Sequence, residues 1–312
     1  MIKRNLGNTG LQVSEIGFGG WALGGVTYRD GVPSGWADTE MKRSIETVER
    51  AWEQGVSFFD TADAYGRGKS EVLLSLGLGE NRTKAVIASK VGMSMAAPGQ
   101  NFTEPYIRGS VDSSLTRLER ESIDLYFLHG PSVETMTRDL FCVMIDLKSS
   151  GKIRAWGVSV FTAEEVLHAI EGGADVIQLI YSILEPDVGR AVFPVAREKK
   201  VGVIVREALA SGWLTGKFDA TTQFPPSDHR SRKFPPERIK ELAGKVGQLD
   251  FLREECGSLG NAAIQFVLSE PSVSSVIIGC KSPEQVDSNI AAAGKRLSSS
   301  ALAKLEELFP SV

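Results

Sequence analysis

Eight short runs of apolar, largely β-branched residues recur along this chain, and a stretch with helical spacing separates each from the next. The runs cover 15–20, 56–60, 85–90, 123–129, 155–159, 176–180, 201–205 and 276–278. Near-continuous apolar runs of this length are what strands buried on both faces require. Strict alternation of such strands with helices predicts an α/β fold around a parallel sheet. Two architectures satisfy it, a closed (β/α)8 TIM barrel and an open doubly wound sheet. The open sheet predicts a Gly-rich phosphate turn after the first strand, leading straight into a helix. Here Gly17-Phe18-Gly19-Gly20 leads instead into a polar, Gly-rich and aromatic loop over 24–37. The barrel is therefore the expected fold.

The chain adds to the bare alternation. Two extended pieces around Gly7-Asn8-Thr9-Gly10 predict an N-terminal β-hairpin over 2–14. Asp38-Thr39 can cap a helix over 40–54, whose Ile45, Val48, Ala51 and Trp52 recur at helical spacing. Residues 210–236 carry two Pro-Pro pairs and read as a long loop over the barrel mouth. Helices over 238–256 and 261–269 follow, one more than the alternation needs, so an extra helix precedes strand eight. Pro283 opens a last helix. No linker or fixed-period repeat interrupts the pattern, and residues 1–312 read as one domain.

Composition narrows the functional classes. Apolar residues at 42% and charged residues at 24% fit a soluble globular enzyme. A net charge of -4 without a long basic run argues against nucleic acid as a partner. No run approaches the ~18 apolar residues of a membrane span. The N-terminus lacks the apolar segment of a signal peptide. Cys142, Cys256 and Cys280 are too few and scattered for a disulfide framework or zinc site, so no metal is expected. Free thiols point to a reducing compartment, and the cytoplasm is the expected location.

Chemistry concentrates where the strands end. Strand two ends on Asp60, strand three on Lys90 and strand four on His129, and Tyr65 follows Asp60 by five positions. In a barrel these ends share one rim, the face where barrel enzymes act. A phenol with an ordinary pKa of ~10 gives up its proton reluctantly at neutral pH. A lysine cation at ~4 Å, with an effective dielectric of ~20, favours the phenolate by about 4 kcal/mol, roughly three pKa units before desolvation subtracts. Asp60 would hold Lys90 and cancel part of that effect, and His129 would orient a substrate oxygen. Such a set is a general acid aimed at a carbonyl that an external hydride reduces. The plainer alternative is a structural ion pair beside a packed tyrosine and histidine. Trp21 is either a packed anchor or a wall of the substrate pocket.

The chain resembles the aldo-keto reductase family over essentially its whole length. The resemblance is carried by Asp60-Thr61-Ala62 with Tyr65-Gly66, Ser89-Lys90, Asp124 to Pro131, Gly157-Val158-Ser159, Gln178 with Tyr181-Ser182, Leu209 to Lys217, and Gly279 with Ser282 to Gln285 and Asn289. It implies a (β/α)8 barrel, a catalytic tetrad of Asp60, Tyr65, Lys90 and His129, and an NADP cofactor (NADPH, with NAD possible) lying extended across the rim. Ser159 and Gln178 resemble the residues that hold the nicotinamide carboxamide. Leu209, Ser211, Leu214, Gly216 and Lys217 resemble the loop over the pyrophosphate. Lys281, Ser282, Gln285 and Asn289, after Gly279, resemble the adenosine end. Gly20 would allow close approach at the end of the first strand. The pattern departs at Val160, where many members have Asn, at Arg206, where many have an aromatic residue stacked on the nicotinamide, and at Ile278 and Ser288; the Arg206 guanidinium can stack there as a cofactor contact or else pair with Glu207.

The leading expectation is an NADP-preferring reductase of small aldehydes or ketones. A second is a cofactor-binding regulatory or redox-sensing subunit with little turnover. A third, Schiff-base chemistry on Lys90, fits poorly with Asp60 and Tyr65 beside a charged lysine.

Overall fold

The computed structural model describes residues 1–29, 32–36, 40–93 and 99–310, with backbone alone for 29 and 32–34. The chain opens with an antiparallel hairpin of β1 (Lys3–Asn5) and β2 (Gln12–Ser14). It continues through β3 (Ile16–Gly19), an antiparallel ribbon of β4 (Val26–Arg29) and β5 (Val32–Gly35), α1 (Met41–Glu53), β6 (Phe58–Asp60) and α2 (Lys69–Leu78). The next units are β7 (Val86–Val91), α3 (Glu104–Leu118), β8 (Ile123–His129), α4 (Arg138–Ser149), β9 (Ile153–Ser159), α5 (Ala163–Glu171), β10 (Val176–Ile180), α6 (Asp187–Glu198) and β11 (Gly202–Arg206). A segment with a 3-10 turn, Ala210–Thr215, leads to α7 (Arg230–Lys233), α8 (Pro236–Gly247), α9 (Phe251–Cys256), α10 (Leu259–Ser269), β12 (Ser275–Gly279), α11 (Pro283–Ile290) and α12 (Ser299–Leu308).

Strands β3, β6, β7, β8, β9, β10, β11 and β12 pair in parallel and close into a barrel. The pleat sends alternate residues to opposite faces. Phe58, Ala88, Leu125, Phe127, Ala155, Val176, Ile204 and Ile277 form the inner cluster, and Leu6, Leu11 and Val13 of the hairpin join it. The hairpin thus plugs one end of the barrel. Each buried Val, Leu, Ile or Phe among these contributes roughly 1.5–3 kcal/mol. The other pleat face packs against the helices, with Phe59, Ile87, Tyr126, Leu128 and Val158 in that outer layer. At the end opposite the plug, two residues beyond Phe58, Ala88, Phe127, Val176, Ile204 and Ile277, come Asp60, Lys90, His129, Gln178, Arg206 and Gly279, and Ser159 comes four beyond Ala155. The period of two that fills the core also aims these residues at the open rim.

Several boundaries depart from expectation. The loop over 24–37 contains the β4–β5 ribbon, whose short strands, with Pro33 and Gly35 in the second, lack the apolar run that would reveal them. Asp38 and Thr39, expected as caps, lie outside the described residues. The helix expected over 238–256 is two, because Gly244 and Gly247 weaken its end and Leu249 turns inward to full burial between them. The loop over 210–236 holds the 3-10 turn and α7. A further helix, α12, follows the one opened by Pro283, with Ser298 accepting from the Ala301 N–H as its cap. Among the described residues no helix is long and apolar enough to cross a membrane.

Candidate active site

Lys90 is wholly buried, and its ammonium uses all three hydrogens. Nζ donates to Asp60 Oδ1 at 2.5 Å, to the Thr61 carbonyl at 2.9 Å and to the Tyr65 hydroxyl at 3.2 Å. It also lies 4.8 Å from the Tyr65 ring centroid. The second oxygen of Asp60 accepts from Gln178 Nε2 at 2.8 Å, and Gln178 Oε1 accepts from Ser159 Oγ at 2.8 Å. A continuous chain therefore runs Ser159–Gln178–Asp60–Lys90–Tyr65. The strands of Asp60 and Gln178 stand across the barrel from each other, so only closure brings them together.

Burial opposes the Lys90 charge, but Asp60 and Tyr65 together outweigh it and raise the pKa. Tyr65 moves up as well. Burial is the larger cause and Asp60 adds to it, while Lys90 pulls the other way and loses. The expectation of a phenol made more acidic by Lys90 is thus reversed in sign. Burial, then the charges of Lys90 and Arg206, hold His129 well below the usual histidine range. His129 is neutral at pH 7, and its Nδ1 finds no partner among the described residues. Its ring meets Tyr65 edge-on, with centroids 5.8 Å apart.

These groups open onto a cavity of about 970 Å³ at the rim. Asp60, Tyr65, His129, Ser159, Gln178 and Arg206 line one part of it, and Trp21, tilted against Tyr65 at 6.3 Å, borders the same part. Leu209, Ser211 and Lys217 line the stretch after β11. Lys217 makes no ion pair among the described residues. Gly279, Lys281, Gln285 and Asn289 line the far part, where α11 begins. The Gln285 side chain accepts from the Lys281 N–H at 2.9 Å, and Asn289 donates to Cys280 Sγ at 3.2 Å.

Four expected cofactor contacts do not face this cavity. Gly20 turns to the barrel wall, where an added Cβ would come within 2.8 Å of Ser70 Oγ and 2.9 Å of the Asp60 carbonyl. Leu214 is fully buried in the core beneath the 3-10 turn. Gly216 adopts φ 71°, a turn position that favours glycine, with Arg253 against it. Ser282 is the N-cap of α11, accepting from the Gln285 N–H. Their local roles are structural, which explains a glycine, an apolar residue and a cap at those positions.

Trp36 and Phe161 are rim residues with no sequence signal to mark them, and both meet charged neighbours. Trp36, just past the β4–β5 ribbon, has Arg230 over its ring at 4.8 Å and Lys281 at 4.7 Å. His229 Nδ1 donates to the Gly35 carbonyl at 3.1 Å. The ribbon end is thereby tied across the cavity to two distant segments. Glu207, Ala210 and Ser211 all take positive φ. Such backbone costs on the order of 1–3 kcal/mol per residue and persists where its surroundings impose it. Here Lys233 Nζ bridges Glu207 Oε2 at 2.5 Å and Ser211 Oγ at 2.9 Å. Phe161 precedes the capping box of α5, in which Glu165 Oε2 accepts from the Phe161 and Thr162 N–H groups at 2.9 Å. Among the described residues, no group of three or more His, Cys, Asp or Glu side chains could hold a metal.

A second hollow of about 680 Å³ lies beside the hairpin plug, lined by Arg4, Arg197, Lys200 and Arg296. Its guanidiniums serve the structure. Arg4 donates to the Val273 and Leu268 carbonyls at 2.6 and 2.9 Å, and Arg296 pairs with buried Glu15 at 2.7 Å. The chemistry belongs to the rim.

The sequence profile of the Aldo/keto reductase family matches residues 15–309. The aldo-keto reductase YhdN of Bacillus subtilis is 32% identical over 297 residues, covering 92% of this chain and 87% of that protein. The NADH-specific methylglyoxal reductase of Escherichia coli is 30% identical over 329 residues, covering 99% and 98%. The holo form of an aldo-keto reductase from Bacillus halodurans superposes with a TM-score of 0.81 at 26% identity, covering 100% of this chain and 97% of that one. With its closed barrel, its buried Asp–Lys–Tyr chain and this match over nearly the whole sequence, the protein belongs to the aldo-keto reductase family of oxidoreductases.

Proposed function

We propose that the protein reduces a small aldehyde or ketone to an alcohol, with Tyr65 as general acid and NADPH preferred over NADH. The observation that carries this reading is the Lys90 ammonium, fixed by Asp60 and the Thr61 carbonyl and donating to the Tyr65 hydroxyl. The cofactor, when bound, supplies a hydride to the carbonyl carbon. Tyr65 delivers its proton to the carbonyl oxygen as charge develops there, and Lys90 stabilises the phenolate left behind. Neutral His129 donates a hydrogen bond to that oxygen and orients it. Trp21 forms a wall of the substrate pocket.

The cavity residues suit a dinucleotide. Ser159 and Gln178 offer amide-matching groups beside the tetrad. Lys217 offers a cation for a pyrophosphate, with Leu209 and Ser211 beside it. Lys281, Gln285 and Asn289 offer the far end. Gln178 also holds Asp60, so the same side chain serves cofactor and tetrad. Lys281 supports the NADP preference, since a 2′-phosphate needs a cation or several donors. The Escherichia coli relative is named NADH-specific, so the preference proposed here departs from that protein's. The free thiols Cys142, Cys256 and Cys280 support a cytoplasmic location.

The test is a panel of aldehydes and ketones with NADPH and NADH, read by loss of the reduced cofactor's absorbance. Turnover with small carbonyls is expected. Tight cofactor binding without turnover would favour the regulatory-subunit reading instead. Lys281→Ala is expected to weaken NADPH about ten- to a hundredfold and leave NADH nearly unchanged. Equal weakening of both removes Lys281 as the reader of the phosphate.

A further inference from the structure

Arg206 is a charge at the reacting end of the cavity with no task in the reaction described above. It ends β11 and lines the cavity with Tyr65, His129, Ser159 and Gln178. Its guanidinium lies over the Phe161 ring, 4.5 Å from the centroid. Nη2 donates to the Val160 carbonyl at 3.1 Å, and Nη1 stands 3.6 Å from Glu207 Oε1. Nε is buried, with no partner among the described residues. The donor edge that would fork a carboxylate or phosphate is thus engaged by the protein or shut away from the cavity. What Arg206 offers a ligand is its planar face and its charge.

That charge reaches the reacting groups. It helps hold His129 neutral, and it acts on Tyr65. Glu207 offsets only part of it, because Lys233 holds the other Glu207 oxygen at 2.5 Å. A carbonyl protonated by Tyr65 must meet its hydride donor within bonding reach of the same spot. The donor ring therefore stands in the field of Arg206.

We propose that Arg206 makes this site discriminate between the two redox states of its cofactor, holding the reduced form, whose nicotinamide ring is uncharged, and disfavouring the oxidised form, whose ring is a cation. The inference rests on the reading of the cavity as a nicotinamide site. Two like charges roughly 6 Å apart, at an effective dielectric of about 20, weaken binding about a hundredfold. With Glu207 offsetting part, a preference of about tenfold or more for the reduced form remains. The consequence falls on release. The oxidised cofactor leaves readily and inhibits weakly as a product.

The experiment titrates the full chain with NADPH and with NADP⁺, each followed by quenching of tryptophan fluorescence, and takes the ratio of the two Kd values. The same ratio is measured for Arg206→Phe and Arg206→Gln, which remove the charge, and for Arg206→Lys, which keeps it. The wild type should bind the reduced form at least about tenfold more tightly. The ratio should fall towards one in the two neutral variants and persist in the lysine variant, which also guards against a variant that misfolds. A wild-type ratio near one overturns the proposal, as does a ratio that survives in both neutral variants, and either leaves the reductase reading intact. Failure of the wild type to bind either form overturns the proposal together with the nicotinamide reading.

Discussion

Asp63 sits two residues before Tyr65, on the loop that carries the proposed proton donor, and it is 4% exposed. Its Oδ1 finds no partner among the described residues. The wholly buried carboxylate of Glu71 acts on it from α2. Glu71 is itself held by Ser89 Oγ at 2.5 Å and Arg117 Nε at 2.6 Å. Burial first, and the Glu71 charge second, push the Asp63 carboxyl from 3.8 up to about 7, against the Ala64 N–H and the charges of Arg117 and Lys90. The folded chain therefore keeps a proton that the unfolded chain releases, and stability falls as pH rises between those two values. The full stability is present below the unfolded pKa, and the loss is complete once pH passes the folded one. A gap of about three pH units corresponds to about 4 kcal/mol. Asp63→Asn cannot ionise and escapes this loss. Urea unfolding of wild type and variant is compared from about pH 4 to about pH 8. The variant's advantage should grow by about 1.4 kcal/mol per pH unit up to about pH 7 and then level off. Any fixed effect of the amide adds equally at every pH. A difference that stays flat across the range would refute the reasoning, because it would mean that Asp63 ionises alike in both states.

Two further outcomes test the proton donor. Tyr65→Phe should lower carbonyl reduction by at least ~10²-fold, the low end for acid–base catalysis, with cofactor binding retained in fluorescence titration. Near-normal turnover would remove Tyr65 from the mechanism. Because Tyr65 is held protonated, reduction rates should stay level from neutral into mildly alkaline pH, while alcohol oxidation should rise with pH. Initial rates in both directions across that range decide it, and an oxidation rate independent of pH counts against the raised Tyr65 pKa.

The barrel was legible because its signal is local and repeated. Each run shows the unbroken apolar character of a doubly buried strand, and the pleat carries Phe58 to Asp60 and Ala88 to Lys90 on one face. The rim residues follow from the same period, so ionisable strand ends marked the site before any contact was known. What was illegible depends on closure or on weak local pattern. The bond from Gln178 to Asp60 spans 118 positions and exists only because the sheet returns on itself. The contact of Trp36 with both Arg230 and Lys281 joins three segments with no shared period. Helix α12 was hidden by Ser298-Ser299-Ser300, which reads as loop, although Leu302 and Leu305 carry the helical spacing. Order along the chain does not tell the lining of a cavity from the layer that supports it, and so does not show that Leu214 is buried or that Ser282 caps α11.

The sign of the Tyr65 shift shows why the tetrad needs all its members in place. Lys90 alone would make the phenol more acidic, since its charge at that distance favours the phenolate by about 4 kcal/mol. But a lysine can stay charged in a dry barrel only with a carboxylate beside it. That carboxylate, Asp60, then opposes the phenolate. Burial, needed to keep water from the carbonyl, opposes it further, and the sum leaves Tyr65 above its ordinary pKa. The arrangement therefore does not hold a tyrosine that is already ionised. It holds a protonated one whose conjugate base is tolerated because Lys90 touches it at 3.2 Å. Gln178 fixes the other side of Asp60, so the carboxylate cannot swing away and leave Lys90 uncompensated. In the proposed reaction an acid built this way remains loaded near pH 7 and gives its proton only when a carbonyl oxygen becomes more basic than the phenolate, which is the moment a hydride arrives.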